Sequence, residues 1–451
     1  MSDLLMQLHG NPLTAWLARA IGLPSPVPLA RELGGYVARP LAGKATWLGA
    51  CEEGTVTAAL RNALLDAGAA IAVGSADECK KLDVLVLDVT ACRTPAQYHF
   101  LYESLHPRLR SLTANARVLL VAGEPEELDC PVAAAVARGM EGFSRSLGKE
   151  LGKKGITVNL AYVADGAADR LSGVVRFFCA SQTTYVSGQA VHVDNQVGRP
   201  VYLPTEQVLG GKVALVTGSA RGIGLATAQR LAQEGARLVC LDVPAMALEL
   251  ELRCQEIGAV ALPLDIASEE APQRLRDFLK ENFGGVDIVV HNAGITRDRT
   301  LANMSEHHWN QVVAVNLAAI VAVDQVLLGE RVIRDEGRIV CLSSISGVAG
   351  NFGQANYAAT KAALIGYVKA QSKLVAERDI CINAIAPGFI ETPMTDAMPF
   401  ATREVGRRLN SLKQSGLPRD AAELITFLSS PQSFGLTGNT IRVCGQGLVG
   451  A

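Results

Sequence analysis

The chain has 451 residues, enough for two or three domains with cores of their own. Its 42 basic and 44 acidic residues leave a formal charge of −2, which excludes the strong basic bias of a nucleic-acid binder. Hydrophobic residues at 49% rule out disorder over most of the length, and sparse aromatics (5%) beside 43 glycines favour a nucleotide-type α/β fold over a β-sandwich.

The ten cysteines never form a C-x-x-C pair, and several sit in apolar runs such as Leu238 to Leu241. They read as buried thiols of a reducing compartment. Uninterrupted apolar runs stay shorter than the roughly 18 residues a spanning helix needs. The first 22 residues are broken by Gln7, His9, Asn11 and Pro12. The expectation is a cytoplasmic protein with no membrane and no nucleic-acid partner.

In chain order, residues 1–40 hold a short amphipathic stretch, Pro12 to Ile21, and a proline-rich segment, Leu23 to Leu29, which read as an arm and a linker. A strand, helix, strand pattern opens the first domain, 41–198: an apolar run at Ala45 to Leu48, helical spacing from Gly54 to Ala67, and a run at Ala70 to Val73. Further strands are predicted at Val84 to Val89, Val118 to Ala122 and Thr157 to Ala161, the last two separated by a long helix. Arg-Pro and Leu-Pro-Thr then break the periodicity in a linker, 199–210.

The order restarts in 211–451, and here the chain compares with itself. Gly211-Lys212 and the run to Thr217 answer Gly43-Lys44 and the run to Gly49, while Val286 to Val290 answers Leu82 to Val86. Gly366 through Asn383 lies over Gly142 through Asn159 without a gap, and Leu436-Thr437-Gly438 answers Val186-Ser187-Gly188. One α/β unit is written twice, the first time trimmed.

In the second copy, Thr217-Gly218-Ser219-Ala220-Arg221-Gly222-Ile223-Gly224 joins a strand to a helix. Glycines there let the backbone approach a pyrophosphate, whose charge meets the helix N-terminus. Asp242 closes the next strand, where a carboxylate accepts both ribose hydroxyls and repels a 2′-phosphate. Arg221 could pair with such a phosphate if that carboxylate were missing; with it present, the cofactor is read as NAD(H). Tyr357 and Lys361 stand four apart on a helix-favouring stretch, so they share a face, and an ammonium beside a phenol favours phenolate. Ser343-Ser344 ends a strand at the sheet edge where open α/β folds bind ligands.

Together these residues resemble the short-chain dehydrogenase/reductase family over essentially all of Gly211 to Ala451. The further matches are Asp265, Asn292-Ala293-Gly294, Asn316 in Val-Asn-Leu, and Pro387-Gly388-Phe389-Ile390-Glu391-Thr392. His291 stands where the family usually has a second asparagine, and Cys444 where aspartate is common. The resemblance implies that Tyr357 protonates a carbonyl oxygen held by Ser344. It also implies that Lys361 binds the nicotinamide ribose and lowers the tyrosine pKa, and that Asn316 carries a proton relay. Asp265 and Ile266 would flank adenine, and Pro387, Gly388, Ile390 and Thr392 would line the nicotinamide. Within the family, Gly294-Ile-Thr-Arg-Asp-Arg-Thr and Pro387 to Thr395 look most like 3-oxoacyl-acyl-carrier-protein reductases. The extra N-terminal half resembles their high-molecular-weight branch, associated with NADH and 3-oxoacyl-CoA. That implies an acyl-CoA or acyl-carrier-protein thioester as partner substrate. Another ketone or secondary alcohol, or a non-catalytic cofactor-binding scaffold, is the alternative.

Carried to the first copy, Tyr357 falls on Ala133, Lys361 on Ala137 and Ser344 near Gly123, while the loop becomes Gly49-Ala50-Cys51-Glu52-Glu53-Gly54, whose glutamates repel phosphate. The expected fold is therefore α/β with two Rossmann-like, doubly wound parallel-sheet units: the first degenerate and flavodoxin-like, the second complete. Small-residue faces on the long helices, Val132 to Leu147 in the first copy and Ala318 to Leu328 and Ala362 to Val375 in the second, suggest that the copies pack as pseudo-subunits and that two chains form a homodimer.

Overall fold

The computed structural model describes residues 11–20, 26–52, 54–72, 81–396 and 398–447. Leu23 to Ser25 of the proline-rich segment, Glu53, Val73 and the last four residues lie outside them. Two parallel sheets carry the fold. The first contains β1 (Ala45–Ala50), β2 (Ala70–Ile71), β3 (Leu82–Asp88), β4 (Leu112–Gly123), β5 (Thr157–Val163) and β6 (Ala190–Val193), in the order 2-1-3-4-5-6. The second contains β7 (Val213–Thr217), β8 (Arg237–Asp242), β9 (Val260–Pro263), β10 (Val286–His291), β11 (Ile333–Leu342), β12 (Cys381–Pro387) and β13 (Thr440–Val443), in the order 13-12-11-10-7-8-9. The first is the flavodoxin-type order and the second the Rossmann order, and the first sheet lacks a counterpart of β9 among the described residues. Central strands such as β5, β7 and β10 are buried along their whole length, which is why they read as unbroken apolar runs rather than alternating ones.

Helices cover both faces. Those used below are α1 (Thr57–Asp66), α2 (Pro131–Leu151), α3 (Leu171–Phe178), α4 (Gly222–Gln233), α5 (Ala319–Gly329), α6 (Ala355–Val375), α7 (Phe400–Arg408) and α8 (Pro418–Ser429). Proline opens α2 and α8 at the first helical position, where no intrahelical N–H is needed, and Asp420 accepts the Leu417 amide at 2.8 Å to finish the start of α8.

The two units do pack against each other, but mainly through elements other than the long helices that the sequence suggested. The join runs through α3 and α8, with Phe177 stacked on Phe427 at 4.3 Å between ring centres, and through the edge strands β6 and β13. There, equivalent amides of the two copies bridge reciprocally. Gln189 accepts the Arg442 amide at 3.0 Å, and Asn439 holds both His192 N–H and C=O at 2.8 and 3.0 Å. The reason is geometric: α3 and α8 flank the sheet edges that meet, and Gly173 lies so close to Gln432 that a Cβ would sit 1.9 Å from its carbonyl oxygen. α2 contributes through its Arg145 carbonyl, which takes Gln446 of the second unit.

The arm is tied to both units. Asn115 holds Pro28 and Ala30, Arg31 forms a double bond pair to Asp420 at 2.8 Å, and Tyr36 lies under the Arg230 guanidinium at 4.5 Å. Arg230 is fully buried and answers two carboxylates, Glu423 at 2.9 Å and Glu234 at 2.5 Å, as a buried charge must be answered. Among the described residues the cysteines are free thiols, all buried but Cys130.

Candidate active site

The glycine-rich turn leaves β7 at Thr217 and enters α4 at Gly222. Gly218 and Gly222 hold φ of +66° and +61°, and a Cβ on Gly224 would sit 2.0 Å from the Gly218 oxygen and 2.5 Å from Asn292 Nδ2. Only glycine fits there. Asn292 fixes the turn by donating to the Thr217 and Gly218 carbonyls, both at 2.8 Å, while the Thr217 hydroxyl accepts the Asn292 and Ala293 amides at 3.0 Å. At the end of β8, Asp242 is locked by the Ala220 and Val243 amides at 2.9 Å each. Asp265 stands exposed beside it after β9, with Ile266 buried next to it, and Arg221 is exposed at the mouth of the turn. The backbone room around Gly218, Gly222 and Gly224 and the α4 N-terminus fit a dinucleotide's phosphates, and Asp242 fits a ribose.

At the end of β11, Ser344 caps a short helix, its hydroxyl accepting the Ser346 amide at 3.1 Å, and it lines one cleft with Tyr357. Tyr357 and Lys361 project from one face of α6, with the Lys361 ammonium 5.7 Å from the Tyr357 ring centre. Lys361 is buried and donates to the Leu342 carbonyl at 2.6 Å; burial drives its pKa down to about 8. Burial also raises the Tyr357 phenol above its ordinary value, the Ser344 hydrogen bond pulling the other way. The lowering expected from the ammonium is not found: burial leads the shift, and the Asp298 charge adds to it.

Asn316 sits in a π-helical turn, Ala314–Ala318, just before α5. Its amide clamps Ile295, accepting from N–H at 2.8 Å and donating to C=O at 3.0 Å. Asn316 and Lys361 meet at Gly294, where a Cβ would lie 3.3 Å from one and 3.4 Å from the other. The segment after β12 completes the floor. Gly388 bonds the Val443 carbonyl at 2.9 Å, Ile390 pairs with Gly416, and Thr392 faces Gly222. Pro387 is the last residue of β12. A cleft of about 960 Å³ opens over Ser344 and Tyr357, walled by Phe352, Phe389, Met394, Met398 and Leu409.

The second half of the chain matches the family described as enoyl-(acyl carrier protein) reductase over residues 218–446. The chain belongs to the short-chain dehydrogenase/reductase family. As a family member its second unit is an oxidoreductase that binds a nicotinamide dinucleotide. It is similar to the 3-oxoacyl-acyl-carrier-protein reductase of Thermotoga maritima, 40% identical over 244 residues, covering 53% of this chain and 99% of that one. The reductases of the same name from Vibrio cholerae and Escherichia coli are 38% and 36% identical, each covering 52% of this chain and 97% and 96% of theirs. These matches leave the first unit uncovered.

Among the described residues, that unit holds no comparable site. Ala133 and Ala137 are buried where the tyrosine and lysine would stand, and Gly123 ends β4. What the sequence reading missed is Asp88. Its carboxylate accepts the Val56 amide and the Thr57 hydroxyl at 3.2 and 2.6 Å, and the Thr90 amide and hydroxyl at 3.0 and 2.6 Å, occupying the start of α1 with the chain's own anion. A Cβ on Gly54 would come within 2.3 Å of it. Glu52 turns aside to Gln97 at 2.8 Å.

His291, a departure from the family pattern, proves to be part of a buried trio: it meets Asp324 at 2.8 Å, and Tyr367 donates to the other Asp324 oxygen at 2.9 Å. Its odd identity was the only signal in the sequence. Arg407, paired twice to Glu391 at 2.6 and 2.9 Å, gave none, because its partner lies on another element.

Proposed function

We propose that the second unit reduces 3-oxoacyl thioesters, carried on coenzyme A or acyl carrier protein, to 3-hydroxyacyl thioesters with NADH. The observation that carries this reading is the convergence of Ser344, Tyr357 and Lys361 at the carboxyl end of the sheet, beside a cleft of about 960 Å³ with an apolar wall. The names of the relatives support the thioester, and the apolar wall of Phe352, Phe389, Met394 and Leu409 suits an acyl chain. Asp242, fixed at the end of β8, supports NADH, because its charge repels a 2′-phosphate while its oxygens suit the ribose diol.

The bound dinucleotide supplies the hydride. Ser344 holds the 3-keto oxygen by its hydroxyl, and Tyr357 gives that oxygen its phenolic proton. A phenol whose pKa burial raises still carries that proton at neutral pH. Lys361 and Asn316, both against Gly294, bind the ribose and lead a replacement proton toward Tyr357. Asp265 and Ile266 hold the adenine, and Arg221 lies near the phosphates.

The same reading extends to assembly. Residues 306–329, the run that carries Asn316 and α5, form a helix long and apolar enough to cross a membrane, with 39% of its most apolar window buried. We take the open face of α5 and α6 as the contact of a cytoplasmic homodimer. The direct test is the rate of acetoacetyl-CoA and acetoacetyl-carrier-protein reduction with NADH and with NADPH. Turnover with NADH preferred supports the reading; no turnover of either thioester refutes it.

A further inference from the structure

Tyr185 belongs to the first, non-catalytic unit, just ahead of β6, yet its side chain is spent on the second. Its hydroxyl donates to the Gln414 carbonyl at 2.9 Å and accepts from Asn410 Nδ2 at 3.2 Å, and its own carbonyl takes the Gly445 amide at 2.9 Å. The ring is slotted between two glycines. A Cβ on Gly416 would approach it to 2.6 Å and one on Gly445 to 2.7 Å, so neither position tolerates a side chain while the tyrosine is there.

What this slot controls is the wall of the catalytic cleft. Gly416 exchanges backbone hydrogen bonds with the segment after β12, donating to Phe389 at 3.0 Å and accepting from Glu391 at 2.9 Å. Asn410 also ties the Arg407 and Gln414 carbonyls together at 3.0 and 2.8 Å. Phe389, Leu409, Asn410 and Cys444 all line the cleft. The path from Tyr185 to that wall is therefore one hydrogen bond from its hydroxyl to Asn410, and at Phe389 it runs from its ring through Gly416. Asn410 is buried, so a shift of its amide has no solvent to absorb it.

The contact is one-sided. By the internal repeat, Val186-Ser187-Gly188 answers Leu436-Thr437-Gly438, which puts Gly435 opposite Tyr185. The Gly435 carbonyl returns the backbone bond by taking the Asp194 amide at 2.9 Å, but a glycine has no side chain to return the rest, so the ring and hydroxyl contact runs only from the first unit to the second. We propose that Tyr185 is a positioning residue through which the first unit sets the thioester-binding wall of the second unit's cleft. This rests on the reading of that cleft as a 3-oxoacyl thioester site.

The test is steady-state kinetics of the full-length Tyr185→Phe variant, which keeps the ring in its slot and removes only the hydroxyl. The expected result is a KM for acetoacetyl-CoA raised about fivefold, the scale of one of the two buried hydrogen bonds the hydroxyl makes, with kcat and the KM for NADH within about twofold and the melting temperature lowered by no more than about 4 °C. A thioester KM within about twofold of wild type overturns the proposal, as does an equal rise in both KM values, which marks general damage. Wild-type protein that turns over no thioester refutes the underlying reading instead, and the proposal falls with it. If Tyr185→Phe gives no folded protein, Tyr185→Met fills the slot without a hydroxyl and supplies the same comparison.

Discussion

Lys361 is a buried cation, and its cost can be read as a function of pH. The fall from the ordinary lysine value of 10.5 to about 8 corresponds to about 3 kcal/mol against the charged form in the folded state. Below pH 8 the lysine is protonated whether folded or unfolded, and the whole cost stands. Between about 8 and 10.5 the folded protein has released the proton and the unfolded chain still holds it, so stability rises with pH through that window. Lys361→Met removes the charge and leaves the Leu342 carbonyl without its 2.6 Å donor, a loss of about 1 kcal/mol. The variant is therefore expected to be more stable than wild type by about 2 kcal/mol at pH 7, with the gap near zero at pH 9.5. Urea denaturation of both proteins at the two pH values, followed by the fluorescence to which Trp309 contributes, measures it. A variant less stable at pH 7, or a gap equal at both pH values, refutes the reasoning. Stability gained with activity lost is the exchange expected at a functional site.

Asp242→Ala is expected to relax discrimination against NADPH, measured as the ratio of kcat/KM for the two cofactors; a ratio unchanged from wild type contradicts the role given to that carboxylate. Because Asp88 already fills the start of α1, NADH is expected to bind at one site per chain, and calorimetry that counts two refutes that reading of the first unit. Light scattering is expected to give a dimer near 95 kDa, twice the 47.6 kDa of one chain, and a tetramer near 190 kDa contradicts pairing through α5 and α6 alone.

The legible parts of this molecule are those written in short spacing. The glycine turn, Asp242, and the Tyr357/Lys361 pair lie within one strand-helix step or one helical turn, so periodicity alone places their partners. The doubling was legible because the chain can be compared with itself. Long-range choices were not legible. α2 and α6 carry small-residue faces, whereas α3 and α8 meet through the Phe177–Phe427 stack, which nothing local in the sequence marks as an interface. Asp88 falls inside the predicted strand Val84 to Val89, and nothing local says that its carboxylate turns back to the start of α1, 31 residues earlier at Thr57. The π-helical turn at Asn316 likewise leaves no mark in an apolar run that scans as ordinary helix.

The central claim is that Tyr357 delivers the proton while hydride reaches the 3-keto carbon. It is tested most directly by comparing wild type with Tyr357→Phe in acetoacetyl-CoA reduction, with NADH binding titrated in parallel by fluorescence. The account predicts a fall in kcat of at least about a hundredfold with NADH affinity retained, since the phenol acts in the chemical step and not in holding the cofactor. A variant that keeps most of its turnover contradicts it.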